Sequence, residues 1–162
     1  LEFRRVLFRS VITLGFTLEP VTLDISGTAG QAIPQVLLDN VYEGLVRVDD
    51  DGLIVPALAS DYSVAEDGLT YDFTLRDATF HDGEPLTVGD VVWSLERVLD
   101  DASTTVLPTQ IAQFARVAKV TSVADNQVRL TLTERDNDLL YSLTQRGGVI
   151  FKKGTKIGRA HV

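Results

Sequence analysis

Residues 66–99 read EDGLTYDFTLRDATFHDGEPLTVGDVVWSLERVL, and their order of turns and faces decides the fold. Asp67-Gly68 is a turn signal ahead of residues 70–75, where Tyr71, Phe73 and Leu75 alternate with Asp72 and Thr74. Successive side chains of a strand point to opposite faces, so this run predicts a strand with one buried and one wet face. Asp82-Gly83 and Pro85 make a second turn. Thr87 then opens a helix with Asp90 three positions on, the spacing in which a hydroxyl and a carboxylate satisfy N–H groups left free at a helix start. Val88, Val91, Val92, Leu95, Val98 and Leu99 recur at helical spacing and form the expected buried stripe. Trp93 lies off that stripe and is expected to be a second packing contact rather than a platform for a ligand.

Outward from this block the same alternation of short elements continues. Upstream, residues 11–16 (VITLGF) are apolar and β-branched and predict a buried strand. A loop rich in Ser, Gly, Thr and Ala follows Leu23-Asp24 and runs to Gly30. Across residues 32–45, Ile33, Val36, Leu37, Val41 and Leu45 follow helical spacing, with Pro34 suited to the first turn, where no N–H donor is needed. Residues 45–48 and 53–55 flank an Asp-Asp-Asp-Gly turn and predict a hairpin. Downstream, residues 107–114 predict a short helix, and residues 119–123 and 127–132 a hairpin around Ala124-Asp125-Asn126. Asn137 or Asp138 is placed to cap a last helix carrying Leu139, Leu140 and Leu143. Gly147-Gly148 should end it before an apolar strand over residues 149–151. The expected fold class is mixed α/β with antiparallel hairpins.

The two termini read differently. LEFRRVLFRS (residues 1–10) and IGRAHV (residues 157–162) can be back-translated so that the second is the reverse complement of a stretch within the first. Both therefore read as translated sequencing adapter, which sets residues 11–156 as the natural segment and places any export signal or lipid anchor outside it. The chain has 15 basic and 23 acidic residues, net −8. Setting aside Arg4, Arg5, Arg9, Arg159 and Glu2 leaves 11 basic and 22 acidic, net −11. That balance argues against nucleic acid as a partner and against an anionic membrane surface. With 44% hydrophobic residues the chain is globular. It has no cysteine, which rules out disulfides and thiolate metal sites or nucleophiles in this span.

Catalytic chemistry finds little support. Outside the adapter-like ends His81 is the one histidine, beside a turn, and any Ser-His-Asp set would have to centre on it. His81, Asp82 and Glu84 lack a defined metal-ligand spacing. The carboxylates of Asp49-Asp50-Asp51 and Asp100-Asp101 read as solvated turns. The Asp-Asp-Asp-Gly turn resembles half a calcium loop, but Leu58 stands where the bidentate Glu would be. No catalytic residue, metal site or cofactor is expected.

On these motifs the chain resembles the extracellular solute-binding proteins of family 5, which serve ABC importers of peptides, dipeptides and nickel. The resemblance rests on EPVTLD (residues 19–24), YEGLV (42–46), Asp51-Gly52, IVPALA (54–59), then DGLTYDFTLR, FHDGEPLT and DVVWSLERVL, and finally NQVRLTLTERDNDLLYSL. Tyr62, where the family often has Trp, Ala78-Thr79 at a shortened strand end, and Ile25 in place of a common Pro depart from the pattern in packing and loop shape.

The resemblance implies part of a two-lobed periplasmic-binding-protein type II fold that closes around its ligand. Residues 11–42 would begin the first lobe, residues 43–148 form an inserted α/β subdomain carrying the signature, and residues 149–156 start the return. The implied role is capture of a peptide or similar small solute, without catalysis, and its delivery to ABC permease subunits. The implied protein is a monomer and sits in the periplasm or at the cell surface as a lipoprotein. A ligand-sensing domain of the same fold in a regulatory protein is the alternative. In peptide-binding relatives the loop matching residues 26–31 pairs its backbone with the ligand, which implies Ala29, Gly30 and Gln31 as ligand-binding residues. The signature block would then be scaffold, and residues 11–156 alone are expected to fold poorly or bind nothing, because one lobe cannot enclose a ligand.

Overall fold

The computed structural model describes residues 25–30, 32–100, 103 and 105–155. The expected strand over residues 11–16, the Pro20 and Asp24 motif, Gln31 and both adapter-like ends lie outside the described residues. The elements run α1 (Ala32–Leu37), β1 (Val46–Val48), β2 (Ile54–Pro56), β3 (Ala59–Val64), β4 (Thr70–Leu75), α2 (Val88–Leu99), α3 (Pro108–Gln113), β5 (Val117–Ala124), β6 (Gln127–Leu132) and α4 (Leu139–Leu143), followed by a 3₁₀ turn, Arg146–Gly148. β1 and β2 form a separate hairpin, and the other strands form one antiparallel sheet in the order β3-β4-β6-β5. The fold is the mixed α/β arrangement with antiparallel hairpins that the sequence predicts.

The alternation in residues 70–75 sets the sheet. Tyr71, Phe73 and Leu75 are buried, and Phe73 is fully so. Across the strand pair, Tyr71 stands opposite Leu130 and Phe73 opposite Val128, so the buried faces of β4 and β6 coincide. Cross-strand pairs of this kind are the unit of sheet stabilisation. On the wet face, Asp72 is opposite Arg129, whose Nε and Nη2 donate to the two carboxylate oxygens at 2.7 and 2.8 Å. Hydrogen bonding from Arg129, aided by its charge, holds the Asp72 carboxyl below the usual carboxylate range against the opposing effect of burial.

α2 begins as its spacing predicts. Thr87 Oγ1 accepts from the Asp90 N–H at 3.3 Å, and Asp90 Oδ2 accepts from the Thr87 N–H at 2.9 Å and its hydroxyl at 2.5 Å. Val91, Leu95 and Val98 are buried in the main core, while Val88, Val92 and Leu99 pack at its margin. Asp90 and Ser94 share the buried face because both bond the chain's last described segment. Asp90 Oδ1 accepts from the Lys153 N–H at 2.7 Å, and Ser94 bonds both the N–H and the carbonyl of Phe151 at 2.9 and 3.0 Å.

Two hydrophobic clusters result among the described residues. The larger joins Leu45, the sheet, α2, α3 and α4. The smaller joins Ile25, Leu37, Val149 and Phe151, with Val36, Leu38, Tyr42 and Trp93 packed against it. Trp93 is thus the packing contact expected of it, and the Arg97 guanidinium lies over its ring at 5.4 Å and over the Phe151 ring at 5.1 Å.

Four expectations need correction. The helix predicted over residues 32–45 stops at Leu37: Asp39 takes the left-handed conformation (φ 61°), and the N–H groups of Val41 and Tyr42 both turn back to the Leu37 carbonyl at 2.9 Å. Asp tolerates that conformation because its short side chain bonds locally, and it ends the helix against the apolar period. Leu45 consequently enters the main core from beside β1. β3 was not predicted; it is an edge strand with mostly exposed residues, so the buried-face signal is weak. Residues 149–151 form a single bridge from Val149 to Gly44 in place of a strand. Asp138 occupies the cap position of α4 without a side-chain bond, and it is Asp136 whose carboxylate accepts from the Asp138 N–H, at 2.9 Å.

Candidate functional site

The loop before α1 is pinned at several points. Ile25 and Ser26 are buried, and the Ser26 carbonyl accepts from the Leu107 N–H at 3.1 Å, just ahead of α3. Thr28 Oγ1 accepts from the Gly30 N–H at 3.3 Å, and the Thr28 carbonyl accepts from Arg146 Nη1 at 2.6 Å. Between these anchors Ala29 and Gly30 are exposed. The structure therefore presents two of the three residues implied as ligand-binding on a fixed surface loop, and Gln31 lies outside the described residues.

Beneath this loop is a cavity of about 290 Å³ lined by Ala29, Thr109, Gln110, Gln113, Gln145 and Arg146, together with Leu107. Gln110 and Gln113 are three apart on α3 and so share one helix face. Gln110 is 5% exposed, and its Oε1 is buried without a hydrogen-bond partner among the described residues. Burial pulls the Arg146 guanidinium below the usual arginine range. Arg146 reaches the cavity because Gly147 follows it: a Cβ at residue 147 would lie 2.6 Å from Phe114 Cε2, so only glycine lets the 3₁₀ turn pack against the end of α3.

A larger cavity, about 410 Å³, lies away from this loop, between the turn after β4 and the last described segment. Leu58, Phe80, Leu86, Ile150 and Phe151 make its walls mainly apolar. At its mouth Lys152 Nζ bonds Asp82 Oδ2 at 2.5 Å, so the charges satisfy each other. His81 lines it from an exposed turn. Of these two cavities among the described residues, the smaller adjoins the loop at Ala29 and holds the buried Gln110 Oε1 that lacks a partner there.

The acidic turn at residues 49–52 is structural. Asp49 Oδ1 accepts from the N–H groups of Asp51 and Leu53 at 3.0 and 2.9 Å and closes the β1–β2 turn. Among the described residues no group of three or more His, Asp or Glu side chains is placed to hold a metal. Nor is any described helix long and apolar enough to cross a membrane.

Sequence reasoning missed Thr109, Gln110, Gln113, Gln145 and Arg146. The available signal was two glutamines on one face of a short helix and a Gln-Arg pair before Gly-Gly. Neither names a chemistry until the fold brings α3 and the 3₁₀ turn beside the loop.

Residues 54–160 match the family model described as bacterial extracellular solute-binding proteins, family 5 Middle. The periplasmic murein peptide-binding protein MppA of Escherichia coli K12 is 34% identical over 110 residues, covering 67% of this chain and 19% of that protein. The dipeptide-binding protein DppE of Bacillus subtilis 168 is 42% identical over 64 residues, covering 39% of this chain and 12% of that protein. Among solved structures, the PBP AgaA from A. tumefaciens R10 in complex with agropinic acid superposes with a TM-score of 0.75 at 34% identity, covering 82% of this chain and 26% of that one. The chain thus spans at most about a quarter of the length of these relatives. With its signature block forming the sheet-and-helix scaffold and a family match over residues 54–160, the chain belongs to the family 5 bacterial extracellular solute-binding proteins.

Proposed function

We propose that these residues form one wall of the solute-binding component of an ABC importer, which captures a peptide or similar small solute and delivers it to the membrane permease. The observation that carries the reading is the loop at residues 26–30, tied to α3 and to Arg146, with Ala29 and Gly30 facing outward over a polar cavity. Gly30 lets a ligand backbone approach closely, because it has no side chain to exclude it. Ala29, Gly30 and Gln31 supply backbone contacts, while the Leu107–Ser26 and Arg146–Thr28 hydrogen bonds hold the loop in place. Relatives described as binding murein peptide, dipeptide and agropinic acid support a small organic solute.

The two hydrophobic clusters support the division of labour only in part, since Ile150 packs in the larger and Trp93 against the smaller. Residues 11–42 and 149–156 belong to the first lobe, and residues 43–148 are the subdomain inserted between them; the Asp90–Lys153 and Ser94–Phe151 bonds tie the two. An opposite lobe closes on the solute because ligand contacts stabilise the closed state over the open one. The protein works as a monomer, carries out no catalytic step, and sits in the periplasm or at the cell surface on a lipid anchor.

Calorimetric titration of the two-lobed protein with short peptides and nickel chelates tests this reading. The expected result is saturable one-to-one binding, with the bound peptide recovered uncleaved. No heat across peptides, nickel chelates and sugars would refute capture, and recovery of cleaved peptide would refute the absence of catalysis.

A further inference from the structure

Three turns share one dipeptide and one backbone plan. Asp51-Gly52, Asp67-Gly68 and Asp82-Gly83 are the Asp-Gly pairs of the sequence, which has no Asn-Gly pair. Each glycine is left-handed, with φ of 79°, 70° and 86° in that order. Each glycine N–H donates to the carbonyl three residues back, that of Asp49, Ala65 or Phe80, at 3.0, 2.8 and 2.9 Å. A tight turn followed by a left-handed glycine is common in hairpins. With the backbones matched, the three sites differ in what holds the aspartate.

Asp67 and Asp82 are restrained. Asp67 Oδ1 accepts from the Leu69 N–H, two residues on, at 2.9 Å, and the Asp67 carbonyl accepts from Arg135 Nε at 2.6 Å. Asp82 Oδ1 accepts from the Glu84 N–H, again two residues on, at 3.1 Å, and its Oδ2 accepts from Lys152 Nζ. The Lys152 bond, followed by the Glu84 one, holds the Asp82 carboxyl below the usual carboxylate range. At Asp51 the equivalent N–H, that of Leu53, is taken by Asp49 Oδ1 at 2.9 Å. Asp51 is exposed, and its carboxylate has no hydrogen-bond or ion-pair partner among the described residues. The space beside Gly52 is also open: nothing lies within 4 Å of where a Cβ would sit, whereas Arg135 comes within 3.3 Å of that point on Gly68.

We infer that Asp51 is a site of spontaneous isomerisation to isoaspartate in the folded protein, and that it reacts ahead of Asp67 and Asp82. The Gly52 backbone nitrogen attacks Asp51 Cγ; a C–N bond forms, the carboxyl C–O bond breaks, and water leaves with the amide proton. Glycine permits this because no Cβ obstructs the approach. Hydrolysis of the five-membered imide at the former backbone carbonyl returns the water. The chain then runs through the side-chain carbon, and the old backbone carbonyl becomes a free carboxylate. Mass is unchanged, and water is the sole co-reactant. At Asp67 and Asp82 the same swing of the carboxyl must first break its hydrogen bonds.

The test incubates the two-lobed protein at physiological temperature near neutral pH and follows isoaspartate at each site by peptide mapping. Electron-transfer fragmentation distinguishes the two linkages residue by residue. A parallel sample unfolded in guanidinium supplies the rates without the fold. In the folded protein Asp51 should isomerise about 5-fold faster than Asp67 or Asp82, the factor set by breaking one ordinary hydrogen bond. In the unfolded sample the three rates should converge. Lys152→Gln, confirmed as folded by a thermal melt, should raise the rate at Asp82 and leave that at Asp51 unchanged. Equal rates in the folded protein, a lead by Asp67 or Asp82, or the same lead by Asp51 in guanidinium overturns the inference. An unchanged Asp82 rate in folded Lys152→Gln overturns restraint of the carboxylate as its cause. None of these outcomes bears on solute capture, which the calorimetric titration tests separately.

Discussion

Replacing Asp90 by Ala should destabilise the protein more than replacing its capping partner Thr87 by Ala. Both changes break the box at the start of α2. Losing an N-cap interaction costs about 1 kcal/mol. Asp90 does more than cap, because its Oδ1 also accepts from the Lys153 N–H at 2.7 Å, anchoring the last described segment to α2. A hydrogen bond to a charged group contributes about 1.5–3 kcal/mol, and the exposure of Lys153 lets water replace part of it, leaving about 1 kcal/mol. Asp90→Ala should therefore cost about 2 kcal/mol against about 1 for Thr87→Ala. With a urea slope of about 1–3 kcal/mol per molar, the extra loss separates the two midpoints by roughly 0.3–1 M. Urea unfolding followed by far-UV circular dichroism reads this directly, and amide exchange gives a local check: Lys153 should exchange faster in Asp90→Ala and not in Thr87→Ala. Equal midpoints together with unchanged Lys153 exchange would refute the anchoring role.

Two further predictions concern the site's support and the sheet. Gly147→Ala should lower stability by about 1–3 kcal/mol through overpacking against Phe114, and a second change, Phe114→Leu, should recover part of the loss; a melt identical to wild type contradicts the packing. Asp72→Asn should cost about 0.5–1 kcal/mol at neutral pH, a value discounted for the partial exposure of Arg129. Because the folded Asp72 carboxyl is held below its ordinary value, its contribution is present above the unfolded value, near pH 4, and is lost as pH falls through the folded one. Urea midpoints of wild type and Asp72→Asn should converge as pH is lowered from 7, and divergence contradicts the ion-pair account.

Much of the scaffold was legible because its signals were local. The alternation at Tyr71, Phe73 and Leu75 reports burial on one face, and Thr87 with Asp90 reports a helix start, without knowledge of the rest of the chain. The misreadings arose where a distant or single-residue effect overrode the pattern. Asp39 ended a helix whose apolar spacing continued, and the exposed edge position of β3 removed the signal that marks a strand. The cavity was least legible. Gln110 and Arg146 are 36 positions apart, and their relation depends on Gly147 fitting against Phe114, a contact that neither residue type announces. The loop at Ala29 and Gly30 was reached through family resemblance, since a small polar loop has no pattern that separates a binding segment from a plain connection.

Hydrogen exchange on the two-lobed protein, with and without a saturating solute, tests the central claim most directly. If the loop and cavity are the solute wall, the amides of Ala29 and Gly30 and those of residues 145–148 should slow on binding, while β4 and α2 keep their rates. Protection confined to the turn at residues 79–85 or to the signature strands, with the loop unchanged, would contradict it.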